Sequence, residues 1–177
     1  MQLLEKVKKT EYIGREFLVW LWFMTDTERG LFDLGENRSA EIWFDGKITL
    51  QSENEMGVET ITCAGEDQSM REARFALAKN KDIIRAAVRL LIGDNQWSFA
   101  LDSEWINFNN FKTPKVIQDV KEDPDGLFYE KTFLIEEAIS AIDKIYLSFI
   151  KLRFSPEWIV GEHPALIKWI SEGLKPD

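Results

Sequence analysis

Two apolar-rich runs joined by Gly93-Asp94-Asn95 constrain this sequence more than any other feature. In Ile83–Ile92, the residues Ile84, Ala86, Val88, Leu90 and Ile92 fall on one side of an extended chain, and Ile83, Arg85, Ala87, Arg89 and Leu91 fall on the other. In Gln96–Leu101, Trp97, Phe99 and Leu101 oppose Gln96, Ser98 and Ala100. Side chains alternate across a strand with a period of two, so the pattern predicts an antiparallel hairpin with one side in the core and the other half polar.

More strands flank this pair. Ala40, Ile42 and Phe44 alternate with Glu41, Trp43 and Asp45, and Asp45-Gly46 then precedes Lys47–Gln51, which predicts a second hairpin turning at Asp45-Gly46. A strand is expected over Gly57–Ala64, a short one over Gly30–Leu34, and an extension of the sheet over Trp105–Phe108.

The helical period appears in four places. The opening segment to Met24 reads as helix, with Leu4, Val7 and Glu11 on one stripe and Phe17, Trp20, Leu21 and Met24 on a broad apolar face, although the apolar stretch after Gly14 could equally be a buried strand. Gly14 interrupts it, at a cost of ~1 kcal/mol relative to alanine, and marks a kink, a close helix contact or the start of a second segment. Ser69–Lys79 places Met70, Ala73, Ala76 and Leu77 on one face. From about Glu130 to Leu152, Leu134, Ile135, Ala138, Ile142, Ile145, Tyr146 and Phe149 form a stripe that crosses the sheet or pairs with the first helix. A last helix follows Pro164, with Ile167 and Ile170 expected to face inward. Between sheet and helical end (130–172), 119–126 (DVKEDPDG) reads as an acidic loop or linker. The expected fold class is therefore α+β: one domain over 1–177, an antiparallel sheet of about five to six strands packed with an N-terminal helix, a short middle helix and a long C-terminal helix.

A chain of 177 residues is long enough to bury a core. Its lone cysteine, Cys63, excludes an intramolecular disulfide, and no secretory pattern opens it, so a cytoplasmic location is expected. The longest apolar run, Phe17–Met24, is well short of the ~20 residues that cross a bilayer, so no membrane contact is expected. A formal net charge of -9 argues against wrapping a polyanion over the whole surface and leaves room for a local basic patch. Seven Trp and twelve Phe imply either a bulky core or an aromatic face waiting for a partner.

Catalytic chemistry finds little to use. His163 and Cys63 lie on different elements without ligand spacing, which argues against zinc and against a thiol-histidine pair. No nucleophile elbow, Walker loop or dinucleotide fingerprint is present. Asp45, Glu59, Asp67 and Glu72 near strand ends could hold magnesium, but among thirty-one acidic residues such a grouping arises by chance. The expectation is a non-enzymatic protein without metal or cofactor. The more specific signal is positive: Arg71, Arg74, Lys79, Lys81, Arg85 and Arg89 fall within one helix-strand unit, against the acidic trend, and could converge on phosphates of duplex DNA without reading its sequence. The opposing account pairs Arg71 and Arg74 with local acids, and Arg85 and Arg89 across the sheet.

Several segments in order carry a likeness: Tyr12–Phe23 (YIGREFLVWLWF), Glu59–Gly65 (ETITCAG), Arg71–Leu77 (REARFAL), Lys115-Val116, Asp123–Phe128, Phe133–Ala138 (FLIEEA) and Leu152–Trp158 (LRFSPEW). Through them the chain resembles the C-terminal region of divergent members of the recombination-associated RdgC family, whose substantial N-terminal portion is not in this sequence. The resemblance implies a DNA-associated, non-enzymatic role, since better known members look like ring-forming dimers that bind double-stranded DNA without marked sequence preference. In the GREFL segment, Phe17, Trp20 and Leu21 are expected in the core and Arg15 or Glu16 as a polar tether. The alternative is a protein-interaction or oligomerisation module, a homodimer or a complex with another protein, built on exposed aromatics or on the terminal helices.

Overall fold

The computed structural model describes residues 10–54, 57–65, 67–117 and 123–173. The helical pattern expected over 1–9, residues 119–122 of the expected acidic stretch 119–126, and the tail 174–177 lie outside the described residues.

Six antiparallel strands form one sheet: β1 (Leu31–Gly35), β2 (Arg38–Asn54), β3 (Gly57–Ala64), β4 (Asp82–Ile92), β5 (Asn95–Asp102) and β6 (Asn107–Lys112). The order is β1-β2-β4-β5-β6, and β3 also pairs with β2. β2 is long enough, at 17 residues, to hold β1 against its Arg38–Glu41 end and β3 against Lys47–Asn54, both on the side away from β4. The sheet is thus five strands wide, with β1 and β3 end to end along one margin.

The hairpin expected at Asp45-Gly46 is not there; β2 runs through it. Phe44 pairs with Val88 and Ile48 with Ala86, so β2 carries two extra residues in a bulge between them. Gly46 takes φ 62°, its carbonyl accepts the Gly65 N–H at 2.8 Å, and a Cβ there would stand 2.6 Å from the Gly65 oxygen. A tight two-residue hairpin of this hand needs positive φ at both central residues, and Asp45 does not supply it. Glu36 and Asn37 do, at 56° and 58°, and the chain turns there, between β1 and β2.

The β4–β5 hairpin closes on Gly93-Asp94, with Ile92 opposite Asn95. Its apolar face differs from the expected one at a single point. Arg85 and Ile83 pair with the consecutive residues Thr49 and Leu50, so Ile84 is the extra residue of a bulge, and the strand rotates there to bury Ile83 instead.

Among the described residues there are four helices: α1 (Thr10–Asp26), α2 (Asp67–Ala78), α3 (Pro124–Arg153) and α4 (His163–Glu172), with a π-helical turn, Trp158–Glu162, leading into α4. α3 begins six residues earlier than its apolar stripe implied. Asp123 caps it by accepting the Gly126 N–H at 2.8 Å, and Pro124 occupies the first turn, so 124–126 of the expected acidic loop are helix. In α4 the inward residues are Leu166 and Trp169; Ile167 is exposed and Ile170 is half-buried, because the preceding π-helical turn shifts the helical phase. Among the described residues no helix is long and apolar enough to cross a membrane.

All four helices lie on one face of the sheet. Phe17 of α1 meets Tyr146 and Phe149 of α3 at ring distances of 5.1 and 5.5 Å, and Trp22 meets Trp169 of α4 at 5.1 Å. Buried Trp97 on β5 donates its indole N–H to the Leu134 carbonyl of α3 at 3.0 Å, tying the long helix to the sheet. Arg15 pairs with Asp82 at 2.9 Å and Glu16 with Arg153 at 2.7 Å, while Phe17, Trp20 and Leu21 are buried, so the GREFL segment acts as a core anchor with two polar tethers. Trp20, Trp22, Trp97, Trp158 and Trp169 are all buried, which accounts for much of the aromatic content as core.

Candidate functional site on the open face of the sheet

The six cations singled out in the sequence do not gather on one surface. α2 lies over the covered face, whereas Arg85 and Arg89 project from the opposite one, so the sheet stands between the two groups. Arg74 turns inward: its guanidinium donates to the Trp169 carbonyl at 3.0 Å, lies 4.6 Å from that indole ring, and reaches Asp26 at 3.4 Å and Glu172 at 3.6 Å. It latches α2 to α4 and the end of α1. Lys81 is largely enclosed, bonded to Glu59 at 2.6 Å and Ser52 at 3.0 Å. Lys79 rests over the Phe75 ring at 5.5 Å. Arg71 is exposed on α2.

On the open face the two arginines are matched across the sheet. Arg85 forms a two-point contact with Asp102, and that hydrogen bond, with the carboxylate charge behind it, pushes the guanidinium's pKa up. Arg89 pairs with Asp45 at 2.6 Å. The cross-sheet pairing is therefore present for both, and it leaves their charge locally balanced.

Sequence reasoning missed the residues between them. Ala87 and Ala100 face each other in register on β4 and β5. Around them stand Lys47 and Thr49 of β2, Thr62 of β3, Ser98 of β5, and Asn110 and Lys112 of β6, enclosing a shallow bowl of about 400 Å³. A second depression of about 280 Å³ adjoins it, sharing Thr49 and Arg85 and continuing to Gln51 and Glu104. Among the described residues neither Lys47 nor Lys112 forms an ion pair. The Ala87–Ala100 pairing was readable from the Gly93-Asp94 loop, since counting outward along an antiparallel hairpin fixes each opposite residue. Lys112 was not, because a bulge between Ser98 and Ala100 shifts β6. Lys47 was not either, because it lies in the bulge that looked like a turn.

The other candidates are accounted for by packing. Cys63 is buried at the end of β3 on the covered face; burial first, and the nearby Glu72 second, push its thiol pKa up, away from reactive thiolate. Asp45 and Glu59, two of the acids considered for magnesium, are held in ion pairs. Among the described residues no three His, Cys, Asp or Glu side chains come together as a metal site. His163 opens α4 with its ring 5.8 Å from Trp158.

A third feature lies on the helical layer. α3 carries exposed Phe128, Tyr129, Phe133, Ile135, Ile139 and Leu147 along its outer surface. Its charges are polarised as well: Asp125, Glu130, Glu136 and Glu137 outnumber Lys131 in the first half, and Lys144, Lys151 and Arg153 outnumber Asp143 in the second.

No family model matches the chain, and no curated protein or solved structure matches it. The likeness to the RdgC family rests on the quoted segments alone.

Proposed function

We propose that this chain is a non-enzymatic assembly module that docks on a second copy of itself through α3. The observation that carries the reading is the row of large apolar side chains left uncovered on α3. Exposed apolar residues scattered singly are ordinary, but a run of them on one 30-residue helix, about 45 Å long, is the form an assembly surface takes. The charge polarity favours self-pairing: two α3 helices laid antiparallel set the acidic half of each against the basic half of the other, an arrangement that a two-fold axis produces without further design.

Light scattering across a concentration series tests this. A mass twice that of the chain, falling to the single-chain mass in an Ile135→Glu/Ile139→Glu variant with unchanged circular dichroism, is the expected result. A single-chain mass at every concentration, or a dimer indifferent to the double substitution, refutes docking through α3.

Duplex-DNA association without sequence preference is a second reading, supported by Lys47 and Lys112, which form no ion pair among the described residues, beside Arg85 and Arg89 on the open face. Two lysines bound to phosphates give a log-log salt slope of only about -2, so such binding is weak and lost early in a salt series. Fluorescence anisotropy with Lys47→Glu/Lys112→Glu as control measures it. The charge of -9 and the ion pairs that occupy Arg74, Lys81, Arg85 and Arg89 weigh against it.

A further inference from the structure

We infer that the bowl on the open face of the sheet is a binding site for a small organic phosphate whose apolar body rests on Ala87 and Ala100. The site lies across the sheet from α3, so this inference stands or falls independently of self-association.

Its floor is the first argument. An alanine facing an alanine is among the least stabilising cross-strand pairs, and β-branched or aromatic residues are the usual occupants of a central strand position. Here the pair sits at the middle of the face on the two central strands, β4 and β5, with Arg89 and Ser98 on one side of it and Arg85 and Asp102 on the other. The missing side-chain volume is what makes a concavity out of a surface that is otherwise filled. At about 400 Å³ the bowl exceeds what a bare inorganic anion occupies and falls in the range of small-molecule sites.

Its charge is the second argument. Three cations, Lys47, Arg85 and Lys112, line the bowl with one carboxylate, Asp45, while Asp102 and Arg89 stand outside it as the partners of Arg85 and Asp45. The arginines are each fastened to a carboxylate, which fixes the walls and leaves the two lysines as the charge available to a ligand. They stand on β2 and β6, three strand spacings apart, about 14 Å at the backbone. That separation suits flexible side chains that close on an anion from either end. A positive concavity on a chain of net charge -9 is the reverse of the average surface and concentrates anions locally.

Hydrogen bonding is the third. The hydroxyls of Thr49 and Thr62 lie 3.3 Å apart on one rim, and Ser98 and Asn110 border the bowl on β5 and β6. Asn109 is not available, since its amide is held by Asp102 at 2.7 Å. Neutral donors around a cationic pair suit phosphate oxygens, which take several hydrogen bonds at once.

The test is amide chemical-shift mapping on the whole chain with three probes: phenyl phosphate, inorganic phosphate, and a short DNA duplex. The expected result is saturable shifts at Ala87, Ser98, Ala100 and Lys112 with phenyl phosphate, at lower concentration than inorganic phosphate requires. Lys47→Ala/Lys112→Ala then weakens binding by about tenfold or more, as loss of charge-assisted bonds does. Ala87→Leu, which keeps every charge and fills the floor, abolishes it; an unchanged spectrum away from the bowl shows that the variant folds. Shifts that do not saturate, equal affinity for phenyl and inorganic phosphate, indifference to Ala87→Leu, or binding of the duplex alone each overturn the inference.

Discussion

The two faces of the sheet are built from the same strands and obey opposite rules. On the covered face Ile42, Ile48, Leu50, Ile83, Val88, Leu90, Trp97 and Leu101 are sealed beneath four helices. On the other, the residues around the bowl are charged, hydroxylated or reduced to alanine, and Trp43 and Leu91, farther along β2 and β4, are only half-buried. Burial of apolar area stabilises at roughly 25 cal/mol per Å², whereas ion pairs in contact with water are worth ~0–1 kcal/mol. The fold is therefore held from one side, and the other side is free to differ in composition without threatening it.

The sharpest way to break that contrast is at Trp97. Its indole fills the space between β5 and α3 and its N–H donates to the Leu134 carbonyl, so Trp97→Ala creates a cavity and removes a buried hydrogen bond. A loss of about 3–5 kcal/mol is expected in urea unfolding. A loss below 1 kcal/mol would mean that the covered face does not carry the stability.

Gly14→Ala comes next, and its sign decides between two effects. Helix propensity alone favours alanine by ~1 kcal/mol. Gly14, however, lies against the chain after β5: a Cβ there would sit 1.9 Å from the Ser103 carbonyl oxygen, a backbone atom that cannot swing away. The clash wins, with a net loss of about 1–3 kcal/mol. A stabilised variant would show that α1 does not approach the sheet so closely.

Cys63 reports the same boundary chemically. Burial raises its pKa above the ordinary thiol range, so iodoacetamide labels the folded chain more slowly than the urea-unfolded one. The unfolded thiol ionises first; the contribution of this group to stability is thus full below the ordinary thiol range and is lost as pH rises through the folded value. Equal labelling rates in the two states would place Cys63 on the exposed side.

Much of the covered face was legible because its signals are local and periodic. Val88, Leu90, Trp97 and Phe99 declared themselves by alternation, the buried residues Leu134, Ala138, Ile142, Ile145 and Phe149 of α3 by helical spacing, and Gly14 by being a costly residue in a helix, whereas Ile135, expected on the same stripe, is exposed. What failed was local geometry set from outside the segment. Asp45-Gly46 has the composition of a turn, but pairing to β3 and β4 on either side holds β2 extended, and the glycine serves a bulge instead. Ile84 was displaced by another bulge, whose only cause is the partner strand. The basic cluster failed for a topological reason: residues close in sequence on α2 and β4 project to opposite sides of the sheet, while Lys47 and Lys112, 65 positions apart in the chain, border one bowl.

The smallest effect sharpens the comparison most finely. Arg89 and Asp45 meet at 2.6 Å on the open face with both side chains substantially exposed, at 42% and 36%. If that face contributes little to stability, a double-mutant cycle of Arg89→Ala and Asp45→Ala should give a coupling of about 0–1 kcal/mol, shrinking further as salt is added. Arg89→Ala alone should barely move the urea midpoint, yet it frees Asp45, which lines the bowl, and leaves that carboxylate unneutralised beside Lys47. Phosphate binding there should weaken even though the fold does not. A coupling well above 1 kcal/mol that persists at high salt would mean that the pair is shielded from water, and that a cover stands over this face.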